Sequence, residues 1–191
     1  MLSIVSTQNK TPINAVADKI KDMGGDAIAV TTDVMVLEQV TQLAEAAVAA
    51  FGSLDCWISN AGGADDRVAR TLIDVPERQW DFQLNLNLKA VWTGAQAAAK
   101  VMKDNGGGTI INISSIVGRI AAVAQSPYVT SKWALEGLTE GLAHEVAPFG
   151  IRVVMIEPGI TKSSIFMKNL DAPNASGAYD SHYRRKLQFY A

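Results

Sequence analysis

The stretch GGGTIINISS, residues 106–115, turns through three glycines into a run of branched apolar residues and ends on two serines. Branched apolar residues without regular polar alternation are typical of a strand that is buried on both faces of a parallel sheet. Four other stretches have the same character, namely LSIV (2–5), DAIAVTTDV (26–34), LDCWISNAGG (54–63) and IRVVMIEPG (151–159). The sequence therefore predicts a parallel sheet built from these strands.

Helical patterns separate the predicted strands. They run from about residue 11 to 24, 37 to 51, 76 to 102 and 127 to 150, and prolines or glycines mark most of their ends. Ser126 is predicted to be the N-cap of the helix that Pro127 begins. Strands that alternate with helices predict an α/β fold, a doubly wound parallel sheet with helices on both faces in three αβα layers.

The composition limits the classes of function. The chain has 191 residues, of which 48% are hydrophobic and 19% charged, and its net charge is −2. These values are typical of a globular domain and provide no basic surface for nucleic acid or an anionic membrane. One cysteine and two histidines make a metal site unexpected, and no apolar run reaches the ~18 residues of a membrane span. We expect a single soluble, cytoplasmic domain over residues 1–191, in which Cys56 is a small core residue.

Polar residues at the carboxyl ends of parallel strands are candidates for a site, because ligands bind there. In SPYVTSK, residues 126–132, Tyr128 and Lys132 are four positions apart on a predicted helix and therefore share a face. A nearby ammonium favours the phenolate, so we expect Lys132 to lower the pKa of Tyr128 and to prepare it for proton exchange with an alcohol or carbonyl. The alternative is an ordinary helix start with a packed tyrosine and a solvated lysine, and the pair alone does not decide between the two.

Three further features favour the catalytic interpretation. Ser115 ends a predicted strand 13 residues before Tyr128, where its hydroxyl is within reach of the same point. Asn87 lies among apolar residues in a predicted helix, although asparagine is a poor helix former and needs partners when it is buried. The glycines of NAGG, residues 60–63, allow a ligand to approach the backbone closely.

Taken together, in this order and spacing, the motifs resemble the short-chain dehydrogenase/reductase family over about residues 2–167. SNAG at residues 59–62 is similar to the family's NNAG, and NLKAVW resembles its helix asparagine segment, with Asn87 as the matching residue. TIINISSIVG resembles the strand that carries the active serine, and the spacing to Tyr128 selects Ser115. PYVTSKWALEGL is close to the family's active helix, and EPGITKS matches the Pro-Gly turn that follows.

The resemblance implies a Rossmann-like fold and an NAD(P)-dependent oxidoreductase that acts on a secondary alcohol or ketone. Tyr128 would exchange the proton, Lys132 would lower its pKa and hold the nicotinamide ribose, Ser115 would hydrogen-bond the reacting oxygen, and Asn87 would anchor a water through its helix. The implied cofactor contacts are Asp33, Val34, Asn60, Ala61, Gly62, Tyr128, Lys132, Pro158, Gly159, Thr161 and Ser163. The resemblance also implies a homodimer or homotetramer formed through the helices that carry Asn87 and Tyr128.

The sequence departs from the family at the motif that holds the cofactor pyrophosphate. The family's TGxxxGxG turn is absent, and the first glycine is Gly24. LSIVST, residues 2–7, resembles the family's second strand, so the first strand–helix unit, which belongs in mid-sheet, is expected to be missing, as is the last strand. Two interpretations stay open: an incomplete copy of an active enzyme, or an inactive fragment or oligomer partner that binds no dinucleotide.

Coenzyme and substrate are less strongly indicated. The family's NAD-dependent members usually place an acidic residue after the second strand, where this chain has STQNK, residues 6–10, without a carboxylate. The resemblance therefore favours NADP over NAD. Residues 117–125 supply valine, isoleucine and alanine to the expected substrate wall, which favours a carbon-rich ketone or secondary alcohol.

Overall fold

A computed structural model describes residues 2–7, 10–63 and 70–159, and within these ranges the side chains from residue 13 onward. The strands are β1 (Leu2–Thr7), β2 (Asp26–Thr31), β3 (Cys56–Ser59), β4 (Gly108–Ile113) and β5 (Ile151–Ile156). The helices are α1 (Lys10–Asp22), α2 (Leu37–Phe51), α3 (Glu77–Leu84), α4 (Ala90–Met102) and α5 (Ser126–Val146). The predicted α/β fold is confirmed, because parallel strands alternate with helices throughout the described chain. No helix in those ranges combines the length and apolar character needed to cross a membrane.

The strands pair in parallel, but in the described ranges they form two separate sheets. β1 pairs with β2, with Leu2 opposite Asp26. β4 lies between β3 and β5, with Cys56 opposite Thr109 on one side and Gly108 opposite Ile151 on the other. Within the described residues, β1 and β3 each pair along one edge only, which is the discontinuity expected where the family's first strand would lie.

The main core lies between α2, α4 and the sheet formed by β3, β4 and β5. Small side chains on α4 allow α2 to pack closely against it. Val40, Ala44, Ala98, Met102 and Ile110 are at most 1% exposed and belong to one continuous apolar cluster. Removal of this apolar surface from water is the main force that holds the helices on the sheet.

Gly94 lies where α4 packs against β3. A Cβ atom at this position would stand 2.9 Å from the Trp57 Nε1 atom, so only glycine lets the indole lie against the helix. The same indole nitrogen donates a hydrogen bond to Ser59 Oγ at 3.1 Å. This contact anchors β3 to α4.

Cys56 is exposed, so the prediction that it is a core residue is wrong. Alternate residues of a strand face opposite sides of the sheet. Trp57 packs on the core cluster, whereas Cys56 and Ile58 project to the other face, where Ile58 is 58% exposed. Within the described residues, that face of β3 has little cover.

The predicted N-cap of the last helix is also wrong by one position. α5 begins at Ser126, its N-cap is Gln125, and no side chain caps it. The Gln125 carbonyl accepts a hydrogen bond from the Val129 amide at 2.8 Å, so the helical bonds start one residue earlier than expected. Ser126 Oγ is consequently buried without a hydrogen-bond partner.

Gly94→Ala is expected to lower the free energy of unfolding by about 1–3 kcal/mol, because the new methyl overlaps the Trp57 indole. The better helix propensity of alanine, about 1 kcal/mol, offsets only part of this cost. Urea denaturation of the two single variants and of Gly94→Ala/Trp57→Leu provides the measurement. The double variant should lose less stability than the sum of the single losses, and strict additivity would contradict the contact.

Candidate active site

Ser115 follows the carboxyl end of β4 and caps a short 3₁₀ helix, Ile116–Gly118. Its Oγ atom accepts a hydrogen bond from the Val117 amide at 3.4 Å, and its side chain lies close enough to the Tyr128 hydroxyl to lower the pKa of that phenol. The adjacent Ser114 is buried and donates instead to Glu136 Oε1 at 2.7 Å. The fold therefore brings Ser115, and not Ser114, to Tyr128.

Tyr128 and Lys132 lie one turn apart in the first half of α5. The Lys132 Nζ atom is 5.6 Å from the centroid of the Tyr128 ring. It donates a hydrogen bond of 2.8 Å to the carbonyl of Ile113, the last residue of β4. Lys132 is only 5% exposed, so it is a buried cation and not the solvated lysine of the alternative interpretation.

Burial, more than the neighbouring charge, sets the pKa values of this pair. Burial raises the pKa of Tyr128, and the hydrogen bond from Ser115 opposes that rise. Burial lowers the pKa of Lys132 from 10.5 to about 8, and the negative charge of Glu136 opposes that fall. The expectation that Lys132 lowers the pKa of Tyr128 is wrong for this arrangement. The phenolate loses more stabilisation through the exclusion of water than it regains from the neighbouring groups.

Asn87 lies in a π-helical turn, Asn85–Lys89, between α3 and α4. The long helix that the sequence predicts from residue 76 to about 102 is therefore interrupted at Asn87. The side chain is fully buried and forms two hydrogen bonds of 2.9 Å with Gly63, accepting from its amide and donating to its carbonyl. Asn87 thus fixes the loop that follows β3.

The backbone of that loop is open to a ligand. Asn60, Ala61 and Gly62 are exposed, and a Cβ atom at Gly62 would lie 2.9 Å from Asn87 Oδ1. Glycine is required at position 62 because any side chain would collide with the asparagine that holds the loop.

The remaining predicted cofactor contacts lie at two other strand ends. After β5, the Pro158 carbonyl accepts a hydrogen bond of 3.0 Å from the Ile116 amide, and the space around Gly159 is open. After β2, Asp33 Oδ1 accepts from the Met35 amide at 2.9 Å, and Val34 packs against the core. Thr161 and Ser163 lie outside the described residues.

Three charged residues near Ser115 were missed by the sequence reasoning. Glu136, whose side chain is 12% exposed, lies between Ser114 and the guanidinium of Arg119, which also contacts Glu157. The available signal was the position of Glu136 one helical turn after Lys132, on the same face of α5.

These groups fit one end of a nicotinamide dinucleotide. An exposed glycine-containing loop, a buried ammonium and a serine–tyrosine hydroxyl pair suit a ribose and a reacting oxygen. The sequence has no glycine-rich turn after β1 to hold a pyrophosphate. These residues therefore suit the nicotinamide end of the cofactor and not its pyrophosphate.

Comparison with known proteins identifies the class. Residues 2–174 match the short chain dehydrogenase family. A 3-oxoacyl-[acyl-carrier-protein] reductase, FabG, of Staphylococcus aureus is 35% identical over 157 residues, which are 82% of this chain and 63% of the reductase. A 3-alpha-(or 20-beta)-hydroxysteroid dehydrogenase of Mycobacterium bovis is 41% identical over 131 residues, 69% of this chain and 49% of that protein.

Solved structures give the same result. A short chain dehydrogenase from Mycobacterium smegmatis superposes with a TM-score of 0.78 at 28% identity, over 92% of this chain and 72% of that one. A 7 alpha-hydroxysteroid dehydrogenase complexed with NADH and 7-oxo glycochenodeoxycholic acid has a TM-score of 0.77 at 30% identity, over 82% and 60% of the two chains. The chain belongs to the short-chain dehydrogenase family, and it spans 63% or less of the length of these curated relatives.

The buried Lys132 should make stability depend on pH. Its pKa is about 8 in the folded chain and 10.5 as the ordinary value, so between these limits the unfolded chain binds more protons. The free energy of unfolding should therefore rise with pH across this window, by up to about 3 kcal/mol. Lys132→Met should remove most of the rise, whereas Lys103→Met, at an exposed position, should retain it. Urea denaturation at several pH values tests this, and equal slopes for both variants would contradict it.

Proposed function

We propose that this chain carries the proton-transfer half of an NAD(P)(H)-dependent oxidoreductase that interconverts a secondary alcohol and a ketone. The main support is the Ser115–Tyr128 hydroxyl pair with the buried ammonium of Lys132 beside it. Membership of the short-chain dehydrogenase family supports the same reaction class.

The bound nicotinamide would supply or accept the hydride. In the direction of reduction, Tyr128 donates its hydroxyl proton to the carbonyl oxygen of the substrate. This phenol is protonated near neutral pH, as a proton donor requires, because its ordinary pKa is 10.0 and burial raises it further. Ser115 hydrogen-bonds the same oxygen and stabilises the negative charge that develops on it. Oxidation reverses these transfers.

Lys132 holds the nicotinamide ribose and places its positive charge 5.6 Å from the centroid of the Tyr128 ring. Its pKa of about 8 leaves it mainly protonated at neutral pH, so its positive charge is available there. Asn87 keeps the 60–63 loop in place through Gly63 and anchors, through its helix, a water that connects Lys132 to solvent. The ligand-facing part of the site is then formed by residues 60–62, 115, 128, 132 and 158–159, with Asp33 and Val34 at the adenine end.

The cofactor is proposed to be NADP, with NAD as the alternative. The segment at residues 6–10 has no carboxylate to hold a ribose diol, although residues 8 and 9 lie outside the described chain. A 7 alpha-hydroxysteroid dehydrogenase of similar structure is complexed with NADH, which keeps NAD as the alternative.

The proposed substrate is a carbon-rich ketone or secondary alcohol. Ile116, Ile120 and Val123 are 42%, 56% and 46% exposed in the segment after Ser115, where they present an apolar surface. Two of the relatives described above are hydroxysteroid dehydrogenases, whose named substrates are of this apolar kind.

A second copy of the chain is the proposed partner, in a dimer or tetramer that uses α4 and α5. Trp92 on α4 and Trp133 on α5 are 44% and 52% exposed. The space beside Gly137 and Gly141 on α5 is empty, so another helix can approach closely there. Exposed aromatic residues of this size are typical of interfaces.

The activity is tested on a chain completed with the first strand, glycine-rich turn and helix of a relative such as the reductase of Staphylococcus aureus. NADPH-dependent reduction of apolar ketones is expected, and Tyr128→Phe should reduce kcat/KM by about 10²–10⁴-fold, because the proton donor is lost. Thr41→Val, which removes an exposed hydroxyl from α2, is the control and should retain activity. Equal rates for Tyr128→Phe and the parent would exclude the proposed role of Tyr128.

The second candidate is an inactive fragment or oligomer partner without dinucleotide binding. The division of the described strands into two sheets favours it, as does the absence of a glycine-rich turn. We expect a polypeptide of these 191 residues to show no saturable NADPH binding in a fluorescence titration, because its sequence lacks the TGxxxGxG turn that would hold the pyrophosphate. Micromolar binding would contradict this expectation and favour an active chain.

A further inference from the structure

Four polar residues behind Ser115 have no part in the chemistry proposed above. Ser114 is 3% exposed and donates to Glu136 Oε1 at 2.7 Å. Arg119 Nη2 lies 3.0 Å from Glu136 Oε2 and 2.9 Å from Glu157 Oε1. We call Ser114, Arg119, Glu136 and Glu157 the Glu136 cluster.

The Glu136 cluster joins three segments that carry site residues. Ser114 precedes Ser115, Glu136 follows Lys132 by one turn of α5, and Glu157 precedes Pro158. Backbone hydrogen bonds connect two of these segments directly, from the Ser114 amide to the Ile156 carbonyl at 2.8 Å and from the Ile116 amide to the Pro158 carbonyl at 3.0 Å. Glu136 links these segments to α5, in addition to the bond from Lys132 to the Ile113 carbonyl.

The fit around Glu136 is close. A Cβ atom at Gly118 would lie 2.6 Å from Glu136 Oε1 and 3.0 Å from Ser114 Oγ, so the 3₁₀ helix that Ser115 caps packs directly on the carboxylate. A carboxylate this buried is costly unless both oxygens have partners. Ser114 donates a hydrogen bond to Oε1, whereas Oε2 has no hydrogen bond and is balanced only by the charge of Arg119 at 3.0 Å.

We infer that Glu136 is a positioning residue, which holds the junction of β4 and the 3₁₀ helix against α5 so that the Ser115 hydroxyl stays on the Tyr128 hydroxyl. The inference rests on the proposed function, in which these two hydroxyls share the reacting oxygen. Removal of the Ser114–Glu136 link frees the backbone next to Ser115 and weakens the contact with Tyr128.

Titration of Tyr128 in the free chain measures this contact without cofactor or substrate. The protein is prepared with 3-fluorotyrosine, whose electron-withdrawing fluorine brings phenol titration closer to neutral pH, and is followed by ¹⁹F NMR. The Tyr128 signal is the one lost in Tyr128→Phe. Because the Ser115 hydrogen bond lowers the pKa of Tyr128, Ser115→Ala should raise it, and this rise defines the full effect of losing the contact.

Ser114→Ala breaks the link to Glu136 and leaves every charge in place, including those of Lys132 and Glu136. We expect the pKa of Tyr128 to rise by an amount comparable with that in Ser115→Ala. Glu136→Gln removes a negative charge, which on its own would lower the pKa of Tyr128, so a rise in this variant reports lost positioning and not changed charge.

Thr139→Val is the matched control, because Thr139 Oγ1 accepts a hydrogen bond of 3.1 Å from Asn112 Nδ2 between the same strand and helix. It should reduce stability and leave the pKa of Tyr128 unchanged. An equal rise in Thr139→Val and Ser114→Ala would overturn the inference, as would no rise in Ser114→Ala beside a clear rise in Ser115→Ala. No rise in Ser115→Ala would overturn the proposed hydroxyl pair itself, and the positioning role with it.

Discussion

The position of β4 between two parallel partners is the constraint on which the candidate site depends. Pairing on both edges fixes where β4 ends, and the carbonyl of its last residue, Ile113, holds the Lys132 ammonium. After Ile113, successive side chains point to opposite sides, as they do in an extended strand. Ser114 therefore faces Glu136, and Ser115 faces Tyr128. The end of this one strand therefore supplies the carbonyl that binds Lys132, the hydroxyl of Ser115 and the contact of Ser114 with Glu136.

Exclusion of water from this strand end gives the groups their chemical character. The Tyr128 phenol is neutral near pH 7 and can donate a proton, and burial raises its pKa further. A lysine with a pKa of about 8 can carry its charge and also lose it at modest cost. Neighbouring groups oppose both pKa shifts, because Ser115 favours the phenolate of Tyr128 and Glu136 favours the ammonium of Lys132.

The order and type of the strands and helices could be predicted from the sequence, because apolar periodicity and the prolines and glycines at element ends are local signals. The bounds of α2, residues 37–51, were predicted without error. Local signals failed where a distant contact decided the outcome. The π-helical turn accompanies the bonds of Asn87 to Gly63, 24 positions away. Cys56 is exposed because, among the described residues, only the opposite face of its strand packs on the core.

The sequence by itself determined the family, the order of the elements and the residues Asn87, Ser115, Tyr128 and Lys132 as candidates, because spacing along the chain decides which side chains share a helix face or a strand end. Only the tertiary structure decided that burial raises the pKa of Tyr128, that Lys132 is a buried cation, and that Glu136 links Ser114 to Arg119. These outcomes depend on how much water is excluded and on contacts between residues 17 to 22 positions apart, such as Lys132 with Ile113, and no local pattern encodes either.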